Sequence, residues 1–375
     1  MYYEFEDSAK KKIVAAFAGP QGLSFETDNR IIEELPDDDP RVLEYSGPEW
    51  IKEKYLTFSL TSFEDLLFVY EYIACITPGY FYRGESNADW TISSPIEREI
   101  DDFTRSAGIH KFESRIIEEA RRRAHLYLEN VPDYEDVTSW LSLLRHNGAP
   151  TRLIDITQSL FIALYFAVSD NLSKDGTLWA FGPQFFMESS RKFQIYASEN
   201  KSTLFYNDQS YLVDGYMYPQ KHSNEKNTPR NVTADDVLKD YPFDQSLVIE
   251  LALQGLLNAR GVLLLHPYWS HKRIDAQKGN FIFPLDMKFS SFENMMQGDI
   301  FNPSVPEGFE FKSLKGTAYA NRAFFNTSIV KFNIPSSSKP MFKKLAEQMN
   351  ISKLTLFPDV DGFLGLLKDL VPKKS

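Results

Sequence analysis

Residues 160–168, LFIALYFAV, form the longest apolar run in the chain and constrain the fold more than any other stretch. A helix that spans a bilayer needs about 20 such residues. This run is therefore too short to cross a membrane and belongs in the core of a soluble protein. Leu160, Ala163, Leu164 and Ala167 recur at helical spacing, so the segment reads as a helix with one inward stripe.

The approach to that helix is polar and dense in chemistry: LRHNGAPTRLIDITQS. Asn147-Gly148 and Pro150 build a rigid turn. Thr151 and Arg152 then offer a hydroxyl and a planar fork that suit a phosphate. Asp155 either caps the following helix or orients an arginine, with Thr157 as the other candidate cap. His146, Arg152 and Asp155 either form an internal network that fixes the loop or open onto a ligand.

A second stretch, PGYFYRGESNADW, asks for a partner of the same kind. Aromatic residues suit a short strand that begins after Pro78-Gly79, and the strand closes on Arg83 and Gly84. A guanidinium cannot be buried without a partner. Arg83 therefore pairs with an acid such as Asp155 or Glu113, or it receives an anionic ligand. Gly84 leaves space where a ligand or another backbone comes close. The expectation is that Arg83 and Arg152 converge on one cavity for a charged small molecule.

Composition limits the partners. With 375 residues and 43 % apolar content, the chain has ample material for a core. A formal charge of −11 disfavours broad adhesion to nucleic acid or to an anionic membrane. A single cysteine, Cys75, rules out an internal disulfide framework and fits a reducing, cytoplasmic setting. The N-terminus lacks the apolar core of a secretion signal. The six histidines show no metal-ligand spacing, so no metal is expected.

Residues 1–54 read as a variable N-terminal segment. Residues 55–375 read as one domain with a polar insertion around 185–240. Thr61 and Glu64 have capping-box spacing, and Leu66, Leu67, Tyr70 and Ile73 would then point inward. In KFESRIIEEARRRAHLYL, Phe112, Ile116, Ala120 and Ala124 recur at helical spacing. YEDVTSWLSLLRH is a further helix. GTLWAF, SLVIEL, GVLLLHP, GNFIFP and SIVKFNIP read as strands, and KPMFKKLAEQMN as a helix with Pro340 in its first turn. Helices first and then a strand-rich half give an α+β fold with a mixed sheet core.

FYRGE, then LRHNGAPTRLIDITQSLFIALYFA, then RIDAQKGNFIFP, then IVKFNIP with LTLFPDVDG, resemble the FRG domain family, named for a Phe-Arg-Gly signature. The resemblance runs from about residue 55 to the end. This chain departs from the family pattern with Tyr82 before the arginine, Arg145 before His146, Ile156 for Trp and Ser159 for Pro.

At motif level the same pieces are similar to ADP-ribosyltransferases. That resemblance implies an ADP-ribosyltransferase-like fold and NAD as substrate, with ADP-ribose passed to a macromolecular acceptor by a bacterial or phage-associated toxin or defence effector. It implies catalytic roles for Arg83, Glu113 and Gln277, and NAD contacts from Tyr82, Gly84, His146, Thr151, Arg152, Asp155 and Tyr165, with Phe166 as the alternative to Tyr165 for an aromatic face against the nicotinamide. Gln277 and Gly279 stand where those transferases carry Glu, so another acid (Glu113, Glu85 or Glu250) would have to stabilise the transition state. Glu113 is the preferred one, since its helix follows the YRG strand closely. The rival expectation is a non-catalytic module that binds a nucleotide or phosphorylated ligand, or an interaction protein whose arginines are internal struts.

Overall fold

The computed structural model describes residues 55–70, 79–200, 204, 210–213, 230–233, 245–266, 272–296, 329–359, 362–364 and 367. Residues 1–54, Ile73 and Cys75 lie outside them. In chain order the elements are β1 (Tyr55–Ser59), α1 (Phe63–Val69), β2 (Phe81–Glu85), α2 (Pro95–Arg98), α3 (Asp102–Arg123), α4 (Val137–His146), β3 (Ile154–Thr157), α5 (Leu160–Val168), β4 (Gly176–Phe181) and α6 (Pro183–Glu199). There follow β5 (Ser210–Val213), β6 (Arg230–Thr233), α7 (Gln245–Leu253), β7 (Val262–Leu265), α8 (Lys272–Gln277), β8 (Gly279–Pro284), α9 (Ser291–Met295), β9 (Ile329–Ile334), α10 (Lys339–Gln348) and α11 (Lys353–Leu356).

Seven of these strands form one sheet in the order β1-β9-β4-β2-β3-β8-β7. β1 runs parallel to β9 and the other neighbours are antiparallel. The fold is α+β, but its sheet is not confined to the C-terminal half: β1, β2 and β3 come from the first 157 residues. β5 and β6 pair separately, within the stretch read as a polar insertion.

Alternation along the strands sorts the core into two faces. Tyr82, Leu178, Ala180, Val330 and Phe332 pack with Leu160, Ala163, Leu164 and Ala167 of α5 and with Phe342 of α10. Phe81, Ile154, Ile156, Trp179, Phe181 and Ile282 pack on the other side with Phe185 of α6. The apolar run that opened the sequence is thus a helix laid on β2 and β4. Among the described residues no helix is long and apolar enough to cross a membrane.

Four local expectations are corrected. SLVIEL is not a strand but part of α7, where every residue from Leu247 to Leu253 is buried. A helix surrounded by core shows no polar face, so its period is lost. The buried stripe of α3 is Ile109, Glu113 and Ile117, whereas Phe112 is 48 % exposed. Ser62 rather than Thr61 caps α1, in a box with Asp65, and Leu67 and Tyr70 lie outward while Leu66 and Val69 are buried. The cap of α5 is Ser159, whose Oγ accepts from Ile162 N at 3.4 Å. Thr157 instead accepts from Ser159 N at 3.0 Å and donates to the Gln277 carbonyl at 2.7 Å.

Candidate functional site

The β2–β3 ladder registers Tyr82 opposite Thr157, and beyond that pair a side chain bridges the two strands. Arg83 Nη1 donates to the Asp155 carbonyl at 2.8 Å, and its Nε donates to Glu85 Oε1 at 3.1 Å. Glu85 also accepts from Trp179 Nε1 at 3.2 Å, so it is a buried anchor for the guanidinium. Arg83 is therefore fixed on two edges, and its Nη2 has no hydrogen bond among the described residues.

At this bridge lies a cavity of about 350 Å³, lined by residues of β2, α4, β3, α5, α8 and β8 and by Phe357 just past α11. Tyr82, Arg83, Gly84, His146, Asp155 and Gln277, all singled out from the sequence, line it together. So do Arg145, Phe166, Arg273, Asn280 and Phe357.

Arg145 lies in the last turn of α4, which stops at Asn147 and at Gly148 with φ +83°. Its Nε donates to both Asp155 oxygens at 3.1 Å and its Nη2 also reaches Oδ2. Burial pushes the Asp155 carboxyl up, but Arg145, helped by Arg83, outweighs that and holds it below the usual carboxylate range. Asp155 is nonetheless open to the cavity, with 45 % of its side-chain surface exposed. It is set deep in the protein and still reachable.

The opposite wall is tied to the C-terminal part of the chain. Arg273 Nε and Nη2 donate to Asp359 Oδ2 at 3.0 and 2.6 Å, and its Nη1 donates to the His146 carbonyl at 3.2 Å. The same guanidinium lies 5.0 Å above the Phe357 ring, which meets Phe166 edge to face at 6.2 Å. Burial would raise the Asp359 pKa, but the Gly362 N–H and Arg273 hold it below the usual value. Gln277 Nε2 donates to the Leu356 carbonyl at 3.1 Å, which commits part of its amide to the wall. Arg98, within electrostatic reach of Arg83 and Arg145, has its pKa lowered, first by burial and then by those two cations.

Several expected site residues lie elsewhere. Arg152 and Glu113 are fully buried and bound to each other, and neither lines the cavity. Arg152 also donates to the Pro284, Leu285 and Ala252 carbonyls at 3.2–3.3 Å. Arg83 and Arg152 therefore do not converge. The second cation beside Arg83 is Arg145, seven residues earlier than expected and on the preceding helix. Thr151 is buried beside Arg152. Of the two candidate aromatic faces, Tyr165 packs with Ile162, Ala346 and Leu356, and Phe166 lines the cavity. Glu250 is buried in α7.

The glycines also resolve. A Cβ on Gly84 would stand 1.8 Å from the Ala163 carbonyl oxygen, so the close neighbour is the backbone of α5. A Cβ on Gly279 would meet only Ile274 at 3.5 Å or more, an ordinary contact.

Chemically the cavity offers fixed guanidinium groups, phenyl rings that include Phe166 and Phe357 and, among its described lining residues, a single carboxylate, Asp155. It suits a small anion that also carries a flat ring. Arg145, Phe357 and Asp359 escaped the sequence reading, although LRHNG and LTLFPDVDG were both conspicuous motifs. Nothing in either motif said which residues would meet. No curated protein and no solved structure matches the chain. The family model of the FRG domain matches residues 78–176, narrower than the span of resemblance read from the motifs, and within this FRG-similar stretch lie Tyr82, Arg83, Arg145, His146, Asp155 and Phe166 of the cavity.

Proposed function

We propose that the cavity binds NAD and that the protein is an ADP-ribosyltransferase-like enzyme acting on a macromolecular acceptor. The observation that carries this reading is the joint placement of Arg83, Arg145 and Asp155 beside Phe166 and Phe357 in one cavity. Its volume falls within the range of small-molecule sites, about 300–1,000 Å³. The guanidinium groups are held in place before any ligand arrives, which lowers the ordering cost of binding a diphosphate. Phe166 and Phe357 offer faces and edges for a nicotinamide or adenine ring.

In this reaction the bond from ribose C1′ to the nicotinamide nitrogen breaks, and nicotinamide leaves with the electron pair. An acceptor nucleophile bonds to C1′ and releases its proton to solvent. Positive charge develops on the ribose, so an anion nearby is the useful group. Glu113 is sealed against Arg152 and does not meet that need. Asp155 does.

One observation favours a second reading, a nucleotide-binding module without turnover. Gln277 is neutral and bonded to Leu356, so the position expected for a catalytic glutamate supplies no charge.

Calorimetry with NAD, together with measurement of nicotinamide release in the presence of lysate, separates the two. Binding with release supports the transferase, and binding without release supports the module. Absence of both removes the NAD reading.

A further inference from the structure

Among the carboxylates near the cavity, Glu85 is buried against Arg83 and Trp179, and Asp359 is tied to Arg273 and the Gly362 N–H. Among the described residues, Asp155 is the one carboxylate that lines the opening. Its position is rigid: the backbone is paired with Phe281 of β8, and its carbonyl is held by Arg83. Arg145 approaches both carboxylate oxygens. A carboxylate offers about four lone-pair sites, so the Arg145 fork leaves acceptor capacity on a side chain that faces solvent. Because Arg145 and Arg83 keep it ionised, Asp155 accepts hydrogen bonds and does not donate them.

That combination narrows the ligand. A bare phosphate anion would gain from Arg83 and Arg145 but carries no diol, and its charge would be repelled by Asp155. A ring alone would leave the guanidinium groups unused. A phosphate joined to a sugar diol satisfies both sets.

We infer that Asp155 accepts hydrogen bonds from the ribose hydroxyls of a nucleotide whose phosphates lie against Arg83 and Arg145, so that the cavity selects ribosyl phosphates over bare phosphate anions. This deepens the NAD reading and rests on it. A hydrogen bond to an ionised acceptor is stronger than a neutral one, and a ligand that displaces solvent from the acceptor without supplying a donor leaves a costly unpaired group. Asp155 therefore rejects ligands that lack the hydroxyls.

The test is calorimetric titration of the wild-type chain and Asp155→Asn with NAD and with inorganic pyrophosphate. The substitution keeps the shape and removes the charge. NAD affinity is expected to fall about ten-fold or more, while pyrophosphate binds as before or more tightly because a repelling charge is gone. A merely structural role would weaken both ligands in parallel, and that result, or unchanged NAD affinity, overturns the ribose assignment.

If the variant fails to fold, the wild-type chain is titrated with NAD analogues lacking the 2′- and 3′-hydroxyls of one or the other ribose. One of them is expected to bind about ten-fold more weakly, and equal binding of both overturns the assignment. Wild-type protein that binds no NAD overturns the NAD reading together with it.

Discussion

Arg152 and Glu113 are locked face to face in the interior: the Arg152 backbone N–H donates to Oε1 at 2.7 Å and its Nε to Oε2 at 2.5 Å, with both side chains wholly shielded from solvent. The pair joins the loop before β3 to the middle of α3, and the guanidinium lies 4.9 Å above Phe283. Its place is in the framework behind the cavity. Two charges in such a setting repay their desolvation only while both are present.

Glu113→Ala is accordingly expected to cost about 3–5 kcal/mol of stability, read by urea denaturation, because it strands a buried guanidinium. NAD affinity of the molecules that remain folded is expected to be unchanged. A variant with normal stability and lost activity would instead return Glu113 to the catalytic role that the sequence suggested.

Acid stability should report the Asp155 pair. An ordinary Asp titrates near 3.9 when unfolded, and in the folded protein Asp155 titrates lower. Between those values the unfolded chain binds the extra proton, so stability rises with pH there. The contribution is present above about pH 4 and is lost as pH falls through the folded value. Asp155→Asn should therefore show a shallower loss of stability on acidification below that point, measured as urea midpoints across the acid range. Identical acid limbs in the two proteins would show that the pair is not coupled to folding.

Arg83→Lys separates charge from fork. A lysine keeps one positive charge near Glu85 but cannot also hold the Asp155 carbonyl in the planar geometry of a guanidinium. Stability is expected to drop by about 1–2 kcal/mol for the lost hydrogen bond, and NAD affinity by about ten-fold or more. Full affinity with the lysine would mean that Arg83 acts as a strut only.

The sequence was informative wherever local rules and tertiary packing agree. FYRGE, GTLWAF, GNFIFP and IVKFNI became β2, β4, β8 and β9 because pattern, turn residues and burial point the same way. It misled where a core position is held by a charge. Glu113 sits on the buried stripe of α3, so the apolar period there runs through Phe112 and Ile116 and misses the true face. The same pair took Arg152 out of the cavity, since a guanidinium that reads as ligand-facing in one dimension finds its acid only in three. Arg145 and Asp155 are ten residues apart with a turn and a strand start between them, and no spacing rule predicts that contact. Asp359 reaches Arg273 across 86 residues. Such long-range partners follow from sheet order, which the sequence did not specify.

Gly84 ties the helix to the site and supplies the most severe expected substitution. A Cβ there would stand 1.8 Å from the Ala163 carbonyl oxygen and 2.7 Å from the Ala167 nitrogen. Both atoms are backbone, so no side chain can rotate away, and α5 would have to lift from β2. Gly176 on β4 faces the same helix, 2.3 Å from the Ala167 oxygen by the same measure. The two glycines thus allow α5 its close approach to the strand that carries Arg83. Overpacking in cores costs about 1–3 kcal/mol and occasionally more, and this overlap belongs at the upper end or beyond. Gly148→Ala is the control: its φ is +83° but nothing lies within 4 Å, so only backbone strain of about 1 kcal/mol is expected. Urea denaturation should place Gly84→Ala well below Gly148→Ala, with NAD affinity falling as β2 shifts. Equal stability of the two variants would show that the contact of α5 with β2 does not set the position of Arg83.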